Sequence, residues 1–266
     1  MMIQTTARIH LLAAKEAPVV AIIRRKPTHT FHIIRWNTET DEFEHGSWFQ
    51  KKIYVADSDI SFDGKWMCYM ARGMKGTTWL GVCQLPYLKT YLEADVPTTY
   101  CGGGYWQDRH TLVIDDLLKA SGTIPFRVEK SPLGNPQVLQ HRLQRDGWVR
   151  NGENYGERRK VRGKPFEYPC VGDDGWHRQA GRRGTILDMF YRGHFQGSSK
   201  FEFRVREYPD LLDAEVEHAT FTANGDLVFS RLGWVYRYQH SDISKGQPSF
   251  AADLNSLTRE ETQKLQ

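Results

Sequence analysis

One short pattern recurs along this chain: a tight turn between two strand-like segments. Its clearest copy is Ser61-Phe62-Asp63-Gly64-Lys65, flanked by arms rich in aromatic and β-favouring side chains. Glycine adopts positive φ without steric cost, so Asp63-Gly64 predicts a hairpin. Weaker copies of the turn centre on Ala17-Pro18, Asp108-Arg109, Arg183-Gly184 and Asn224-Gly225. The repetition predicts an all-β chain built from successive hairpins.

The spacing of these turns narrows the architecture. Turn positions 17, 64, 109, 183 and 225 are separated by 47, 45, 74 and 42 residues. Propeller blades repeat every 40 to 50 residues or so, which covers three of the four steps. The longer step equals one repeat plus an insertion of roughly 28 residues. The 266-residue chain is therefore predicted to be a β-propeller of five four-stranded blades, with four or six blades as alternatives.

Two local motifs resemble known propeller repeats. The predicted strand Phe31–Trp36 is followed by Asn37 and a polar turn, much as a WD-repeat strand ends in Trp-Asp. The Ser61–Lys65 turn is similar to the Ser-Pro-Asp-Gly-Lys turn of TolB-like propellers, with Phe62 in place of proline. The resemblance to WD-repeat and TolB-like blades implies the propeller architecture, and it transfers no functional residue.

The domain organisation follows from the repeat. Residues 1–245 are predicted to form a single propeller domain, with a long irregular insertion at 146–182. The fifth unit lacks a clear fourth strand, which either Ile3–Thr6 or the residues after Ser244 could supply. Residues 246–266 are expected to be a C-terminal tail. Within this tail, Thr258 and Glu261 match a capping box, so a short helix should begin near Thr258.

Several classes of site lack a sequence signal. No apolar run is long enough for a membrane helix, and the N-terminus does not resemble a signal peptide, so we expect a cytoplasmic protein without membrane association. The four cysteines have no CxxC spacing, and no nucleophile, metal or cofactor motif is evident, so no cofactor is predicted.

The glycines of Cys101–Trp106 favour a close-packed inner strand over a phosphate loop. His29 and His32 are predicted to lie on the surface.

The insertion carries the candidate binding residues. From Arg142 to Arg183 there are eleven Lys or Arg and six Asp or Glu, a surplus of +5 in a chain whose net charge is +4. Basic and aromatic side chains alternate here, which suits phosphates, stacked bases or an acidic protein surface equally. The candidate residues are Trp148, Arg158, Arg159, Lys160, Arg162, Lys164, Tyr168, Trp176, Arg178, Arg182 and Arg183.

The sequence leaves three functions open. The favoured one is a non-catalytic scaffold that binds a protein partner, with an acidic partner among the options, through propeller-face loops and the insertion. The second is an accessory protein that binds nucleic acid. The third is a hydrolase whose carboxylates converge at the mouth of the channel from different blades. A further reading of the insertion is structural: a solvated loop with Trp148 and Trp176 packed against the propeller as anchors.

Overall fold

The computed structural model describes residues 5–73, 76–96, 102–114, 119–120, 122–131, 137–151, 175–180, 184–195 and 198–263. This part of the chain forms five sheets and three short helices. Blade one contains β1 Arg8–Ala13, β2 Val19–Arg25, β3 Thr30–Asn37 and β4 Glu42–Gln50. Blade two contains β5 Lys52–Ile60, β6 Trp66–Arg72, β7 Thr78–Gln84, β8 Thr90–Val96 and β11 Lys119–Ala120. Blade three contains β9 Gly104–Trp106, β10 Thr111–Ile114 and β12 Arg127–Lys130.

The remaining blades follow a helix. Helix α1 spans Val138–Arg145. Blade four contains β13 Val149–Arg150, β14 Gly175–Gln179, β15 Ile186–Phe195 and β16 Ser198–Val205. Blade five contains β17 Val216–Phe221, β18 Leu227–Arg231, β19 Trp234–Tyr238 and β20 Phe250–Asp253. Helices α2 His240–Ile243 and α3 Arg259–Gln263 flank β20.

The five sheets confirm the predicted five-bladed β-propeller. Strands within each blade pair antiparallel, except that β10 pairs parallel with β12. The first strands of neighbouring blades lie against each other, β17 beside β1, β1 beside β5 and β5 beside β9, so these strands line the axis. The described strands number four, five, three, four and four from blade one to blade five.

The predicted turns are the hairpins of the blades. Gly64 has a φ of 68° and Gly225 a φ of 85°, which favour glycine at both turns. Ser61 stabilises its turn because its Oγ accepts the backbone N–H groups of Lys65 at 3.1 Å and Trp66 at 3.0 Å. The turns at 17, 64, 109 and 225 each connect two adjacent strands of one blade. Residue 183 lies outside the described residues, between the paired strands β14 and β15.

The hydrophobic cores lie between neighbouring blades. Leu11, Ile22 and Trp36 of blade one, for example, pack with Val228 and Val235 of blade five. The alternation of side chains along each strand places apolar residues on the faces that meet. The entry to the inner strand β9 needs glycine, since a Cβ on Gly103, just before the strand, would lie 2.7 Å from the backbone oxygen of Asp57, and one on Gly104 would lie 2.8 Å from Cys68 Sγ. The predicted role of the glycine run in close packing therefore agrees with the structure.

Three details differ from or refine the sequence prediction. β20 supplies the fourth strand of blade five, so residues assigned to the tail complete the last sheet. β13 and β14 belong to blade four, although they fall inside the predicted insertion. The sequence did not predict them because each strand is too short to show alternation. The prediction for His32 was wrong: it is fully buried on β3, stacked on Trp48 at 4.2 Å, whereas His29 is exposed.

The predicted C-terminal helix is present as α3. The side chains of Thr258 and Glu261 form the expected reciprocal cap, with Thr258 N donating to Glu261 Oε2 at 3.1 Å and Glu261 N donating to Thr258 Oγ1 at 3.3 Å. Trp48 of blade one donates from Nε1 to Thr262 Oγ1 at 2.8 Å. The helix therefore packs back onto blade one.

Candidate binding site

The predicted insertion residues have different environments. Trp148 is buried with only 6% of its surface exposed, and it packs in the core between blades four and five. Trp176 is half-buried at the edge of the same core, with the Arg150 guanidinium 5.5 Å from its ring centre. Arg178 lies inside the blade four to blade five interface. The other candidates, Arg158, Arg159, Lys160, Arg162, Lys164, Tyr168, Arg182 and Arg183, lie outside the described residues.

Three of the basic residues in the predicted surplus are internal. Arg142, Arg145 and Arg178 make hydrogen bonds within the fold, and Arg145 is paired with Asp146. Removing these three arginines and Asp146 from the count leaves eight basic and five acidic residues between positions 142 and 183. The surplus that remains is +3 and comes from Arg150, Arg182 and Arg183, since residues 151–174 contain five basic and five acidic residues.

Helix α1 lies at the propeller axis, against the inner strands β5 and β9. Arg142 donates from Nη1 to the backbone oxygen of Ser58 on β5. Arg145 donates from Nη1 to Asp59 Oδ2 at 2.5 Å and from Nε to Asp146 Oδ1 at 2.8 Å. Burial lowers the pKa of Arg145, but the two carboxylates more than offset this and raise it above its ordinary value. This network fixes the helix across the axis.

The other polar groups at the axis come from distant strands. His10 on β1 and His218 on β17 have ring centres 4.2 Å apart. Burial lowers the pKa of both imidazoles, that of His218 to about 3, so both are neutral at pH 7. Burial also raises the pKa of Asp57 to about 6, although Arg142 and Lys52 oppose this effect. We call His10, Asp57, Asp59, Arg142, Arg145 and His218 the axial cluster.

The chemistry of the axial cluster is mainly that of a packed polar core. Asp59 and Asp146 both bind the guanidinium of Arg145, so neither is poised as a free acid or base. Described His, Cys, Asp and Glu residues also form no group of three or more with the arrangement of a metal site. The axial cluster therefore holds α1 and the inner strands together.

A groove lies between blades four and five, at the edge where their hairpin turns lie side by side. Its volume is about 450 Å³, within the range of ligand sites in proteins. Arg178 supplies its positive charge, is half-buried, and donates from Nη1 to Thr220 Oγ1 and to the backbone oxygen of Phe221, both at 3.2 Å. The lining residues are Arg178, Gln179, Ala180, Gly184, Phe221, Thr222, Ala223, Asn224, Gly225 and His240.

The lining of this groove favours an anionic ligand. It combines a guanidinium, an imidazole, two side-chain amides and the turn at residues 222–225 with Ala180 and Gly184, and none of the ten residues is a carboxylate. One of the turns is closed by the Ala180 N–H, which donates to the Thr185 oxygen at 3.0 Å. The chain between Ala180 and Gly184 is Gly181-Arg182-Arg183, so two further arginines belong to a loop whose ends both line the groove.

The groove and the axial cluster differ in how far the sequence could predict them. Arg178, Arg182 and Arg183 are among the predicted candidates, and the groove is built on two of the predicted turns. The axial residues His10, Asp57 and His218 were missed, because their chemistry depends on residues brought together from three blades. Asp57 lies in a bulge of β5, where pairing with β6 is interrupted between Tyr54 and Asp59. This irregularity is a local feature of the axial region in the described structure.

Comparisons with known proteins return similarity in structure alone. No family model and no curated protein matches the sequence. An uncharacterized protein from Listeria monocytogenes EGD-e is 9% identical, with a TM-score of 0.34 over 94% of this chain and 84% of that one. The β-propeller domain of the Trilobed protease from Pyrococcus furiosus is 11% identical, with a TM-score of 0.32 over 90% and 82%. The WD40 domain of SCAP from fission yeast is 7% identical, with a TM-score of 0.23 over 92% and 64%.

None of the helices in the described part of the chain has the length and apolar character needed to cross a membrane. The propeller assignment rests on the order and pairing of the strands, and the candidate site rests on the chemistry of the groove.

Proposed function

We propose that this protein is a non-catalytic propeller platform that binds an acidic segment of a protein partner in the groove between blades four and five. The observation that carries this proposal is the composition of the groove. A guanidinium, an imidazole and turn backbone surround it, and its lining contains no carboxylate. An acidic side chain entering this space would meet donors without like-charge repulsion.

The platform reading is favoured over hydrolysis by the placement of the carboxylates. A propeller glycosidase needs two carboxyl groups that face a substrate from opposite sides. At the axis Asp59 and Asp146 instead share one arginine, and α1 lies against the inner strands where a substrate would have to enter. Both carboxylates are thus engaged in holding the fold.

A protein partner is favoured over nucleic acid by the size of the groove. Binding a nucleic acid strand draws its affinity from several phosphate contacts along a track. The groove has one half-buried arginine among its described residues and room for a few side chains, which suits a short peptide segment better. We place this activity in the cytoplasm, because the described cysteines, Cys68 and Cys83, are free and buried thiols.

The test is a binding titration with a labelled glutamate-rich peptide, a glutamine-rich peptide of equal length and an oligothymidine. Ala223 is an exposed residue of the groove lining, so Ala223→Glu adds a repelling charge with little effect on folding. Ala251→Glu is the matched control on the exposed side of β20. We expect Ala223→Glu to weaken binding of the glutamate peptide about tenfold and Ala251→Glu to leave it unchanged.

Two results would overturn the proposal. One is equal binding of the glutamate and glutamine peptides by the wild type. The other is an equal effect of both substitutions on affinity. Tight binding of oligothymidine that Ala223→Glu weakens, with no peptide binding, would assign the groove to nucleic acid instead.

A further inference from the structure

Charged side chains that face each other across paired strands are arranged unevenly in this propeller. Two such pairs in the described sheets join like charges, Arg8 with Arg25 in blade one and Lys52 with Arg72 in blade two. The pairs that join opposite charges are Arg35 with Glu44, Lys119 with Glu93, and Asp188 with Arg204. Like charges directly opposite each other destabilise a sheet. The two like-charge pairs therefore oppose folding at the positions where they occur.

Both like-charge pairs lie at the same end of neighbouring blades. Arg8 and Lys52 are the first residues of the inner strands β1 and β5, which lie side by side. Arg25 and Arg72 are the last residues of β2 and β6. Burial lowers the pKa of Lys52, and repulsion from Arg72 and from Arg25 of the other blade lowers it further. The four cations thus share one region, and we call them the basic rim.

The side chains of the basic rim are accessible and in part held in place. Arg8 and Arg72 are exposed, while Arg25 and Lys52 are half-buried. The Lys52 ammonium lies 4.4 Å from the ring centre of Tyr54, which favours this position of the charge. Within the described ranges of the chain, no carboxylate forms an ion pair with any of the four cations.

Two carboxylates face the basic rim from a greater distance. Glu217 of β17 is attracted to the arginine pair of blade one, and its Oε2 already accepts the Ile9 N–H at 2.6 Å. Asp57 of β5 is attracted to Lys52 and more strongly to Arg142 of α1. Four cations against two carboxylates leave a surplus of two positive charges at the rim. The rim therefore has charge that the fold itself does not neutralise.

The donors of the basic rim suit phosphoryl groups. Three guanidinium groups present the paired N–H donors that bind phosphate oxygens in bidentate fashion, and the ammonium of Lys52 adds a compact charge. Residues paired across antiparallel strands have Cα atoms about 5 Å apart, so each pair forms a local centre of charge. A nucleic acid strand instead needs cations along an extended track. Two centres on neighbouring blades match a small anion with adjacent phosphoryl groups.

The basic rim is distant from the groove between blades four and five. The bond from the Ile9 N–H to Glu217 shows that β1 and β17 begin side by side. The groove is lined by Phe221, the last residue of β17. The rim and the groove therefore lie at opposite ends of the inner strands, on the two faces of the propeller.

We propose that the basic rim binds a small molecule that carries two or more linked phosphoryl groups, either a nucleoside diphosphate or free pyrophosphate. Each like-charge pair would receive one phosphoryl group. The anion replaces the repulsion within both pairs by charge-assisted hydrogen bonds, so its binding stabilises the folded protein. This site is separate from the groove and adds a small-molecule ligand to the proposed function.

The test is isothermal titration calorimetry of the full chain with pyrophosphate, adenosine diphosphate and oligothymidine in metal-free buffer. Arg8→Gln and Arg72→Gln each remove one exposed cation from one pair. Lys89→Gln is the matched control, because Lys89 is an exposed cation in the connection between β7 and β8. We expect each rim variant to bind pyrophosphate about tenfold more weakly than the wild type, and Lys89→Gln to bind it equally well.

Thermal unfolding separates lost binding from lost folding. Removing one cation from a like-charge pair relieves repulsion, so both rim variants should melt at or above the wild-type temperature in the absence of ligand. Pyrophosphate should raise the melting temperature of the wild type and Lys89→Gln more than that of the rim variants. A rim variant that melts below the wild type would contradict the repulsion on which this inference rests.

Three binding results would overturn the inference: no binding of pyrophosphate by the wild type, an equal loss of affinity in Lys89→Gln, or oligothymidine binding tighter than pyrophosphate. If adenosine diphosphate binds more tightly than pyrophosphate, the ligand is a nucleotide, and the reverse order identifies free pyrophosphate. Ala223→Glu in the groove should leave pyrophosphate binding unchanged, and the rim variants should leave binding of the glutamate peptide unchanged. Failure of this inference is therefore distinguishable from failure of the proposed function.

Discussion

At the scale of single residues, Leu232 adopts a backbone conformation that leucine rarely takes, with a φ of 50°. We predict that Leu232→Asn raises the free energy of unfolding by about 1 kcal/mol, since asparagine tolerates positive φ and the leucine side chain is largely exposed. Denaturant unfolding followed by tryptophan fluorescence measures this change. A lower free energy of unfolding in the variant would show that packing of the Leu232 side chain outweighs the backbone strain.

Asp57 provides a second prediction at this scale, through pH. Burial raises its pKa from 3.8 to about 6, so the folded state holds a proton that the unfolded state has released between those values. The contribution of Asp57 is therefore favourable below pH 4 and is lost as the pH rises through 6. We predict that Asp57→Asn stabilises the protein by about 2 kcal/mol at pH 7 and has little effect at pH 4.

The measurement for Asp57 is denaturant unfolding of the wild type and the variant at both pH values. A variant that is less stable than the wild type at pH 7 would mean that attraction to Arg142 outweighs the cost of burial. Glu217, whose pKa is also raised to about 6, remains in both proteins, so the difference between them isolates Asp57.

At the scale of elements, the segment between β13 and β14, which holds five basic and five acidic residues, joins blade four at one place. Arg150 and Trp176 are strand partners, so the chain that carries Arg158, Arg159 and Lys160 leaves and re-enters blade four at the same place. The Arg150–Trp176 pair lies at the opposite end of β14 from Gln179, which lines the groove. A charge on this segment would act on a ligand in the groove mainly through long-range attraction.

We therefore predict that replacing Arg158, Arg159 and Lys160 together by alanine slows association of the glutamate peptide several-fold at low salt and leaves its dissociation rate unchanged. Physiological salt should reduce the difference, because it screens charges beyond about 8 Å. Stopped-flow binding at two ionic strengths measures both rates. A faster dissociation from the triple variant would place the segment in direct contact with the ligand.

At the scale of the whole molecule, the C-terminal tail closes the propeller. Arg24 of blade one donates from Nε to the Leu254 oxygen at 2.6 Å, and Arg237 of blade five donates from Nη2 to Asp41 Oδ2 of blade one at 2.5 Å. Asn255 bridges both blades, because its Oδ1 accepts the Ala7 N–H at 2.8 Å while its Nδ2 donates to Leu232. These contacts join the first and last blades through side chains and the tail.

We predict that Asn255→Ala lowers the free energy of unfolding by about 1 to 3 kcal/mol, since it leaves the N–H of Ala7 and the oxygen of Leu232 without this partner. Asn37→Ala is the control, because Asn37 accepts a single local hydrogen bond from the Glu39 N–H. Thermal and denaturant unfolding compare the two variants. Equal losses of stability would show that Asn255 contributes no more than an ordinary turn residue.

Turn chemistry and side-chain alternation act over a few residues, and for that reason the propeller could be predicted without coordinates. Asp63-Gly64 and Asn224-Gly225 specify hairpins by themselves, and their spacing specifies blades. The capping box at Thr258 specified α3 in the same local way. The binding role of Arg178, Arg182 and Arg183 stays a prediction, which the sequence suggested because charge can be counted along the chain.

Properties that depend on the meeting of distant strands could not be predicted in this way. His10, Asp57 and His218 look unremarkable in sequence, and their altered pKa values arise because three blades bury them around Arg142. The groove exists because two hairpin turns from successive blades lie side by side. The internal hydrogen bonds of Arg142, Arg145 and Arg178 likewise follow from packing. A long side chain with several donors can leave water where fixed carbonyl and carboxylate oxygens surround it. Those oxygens come together only when the blades pack against each other.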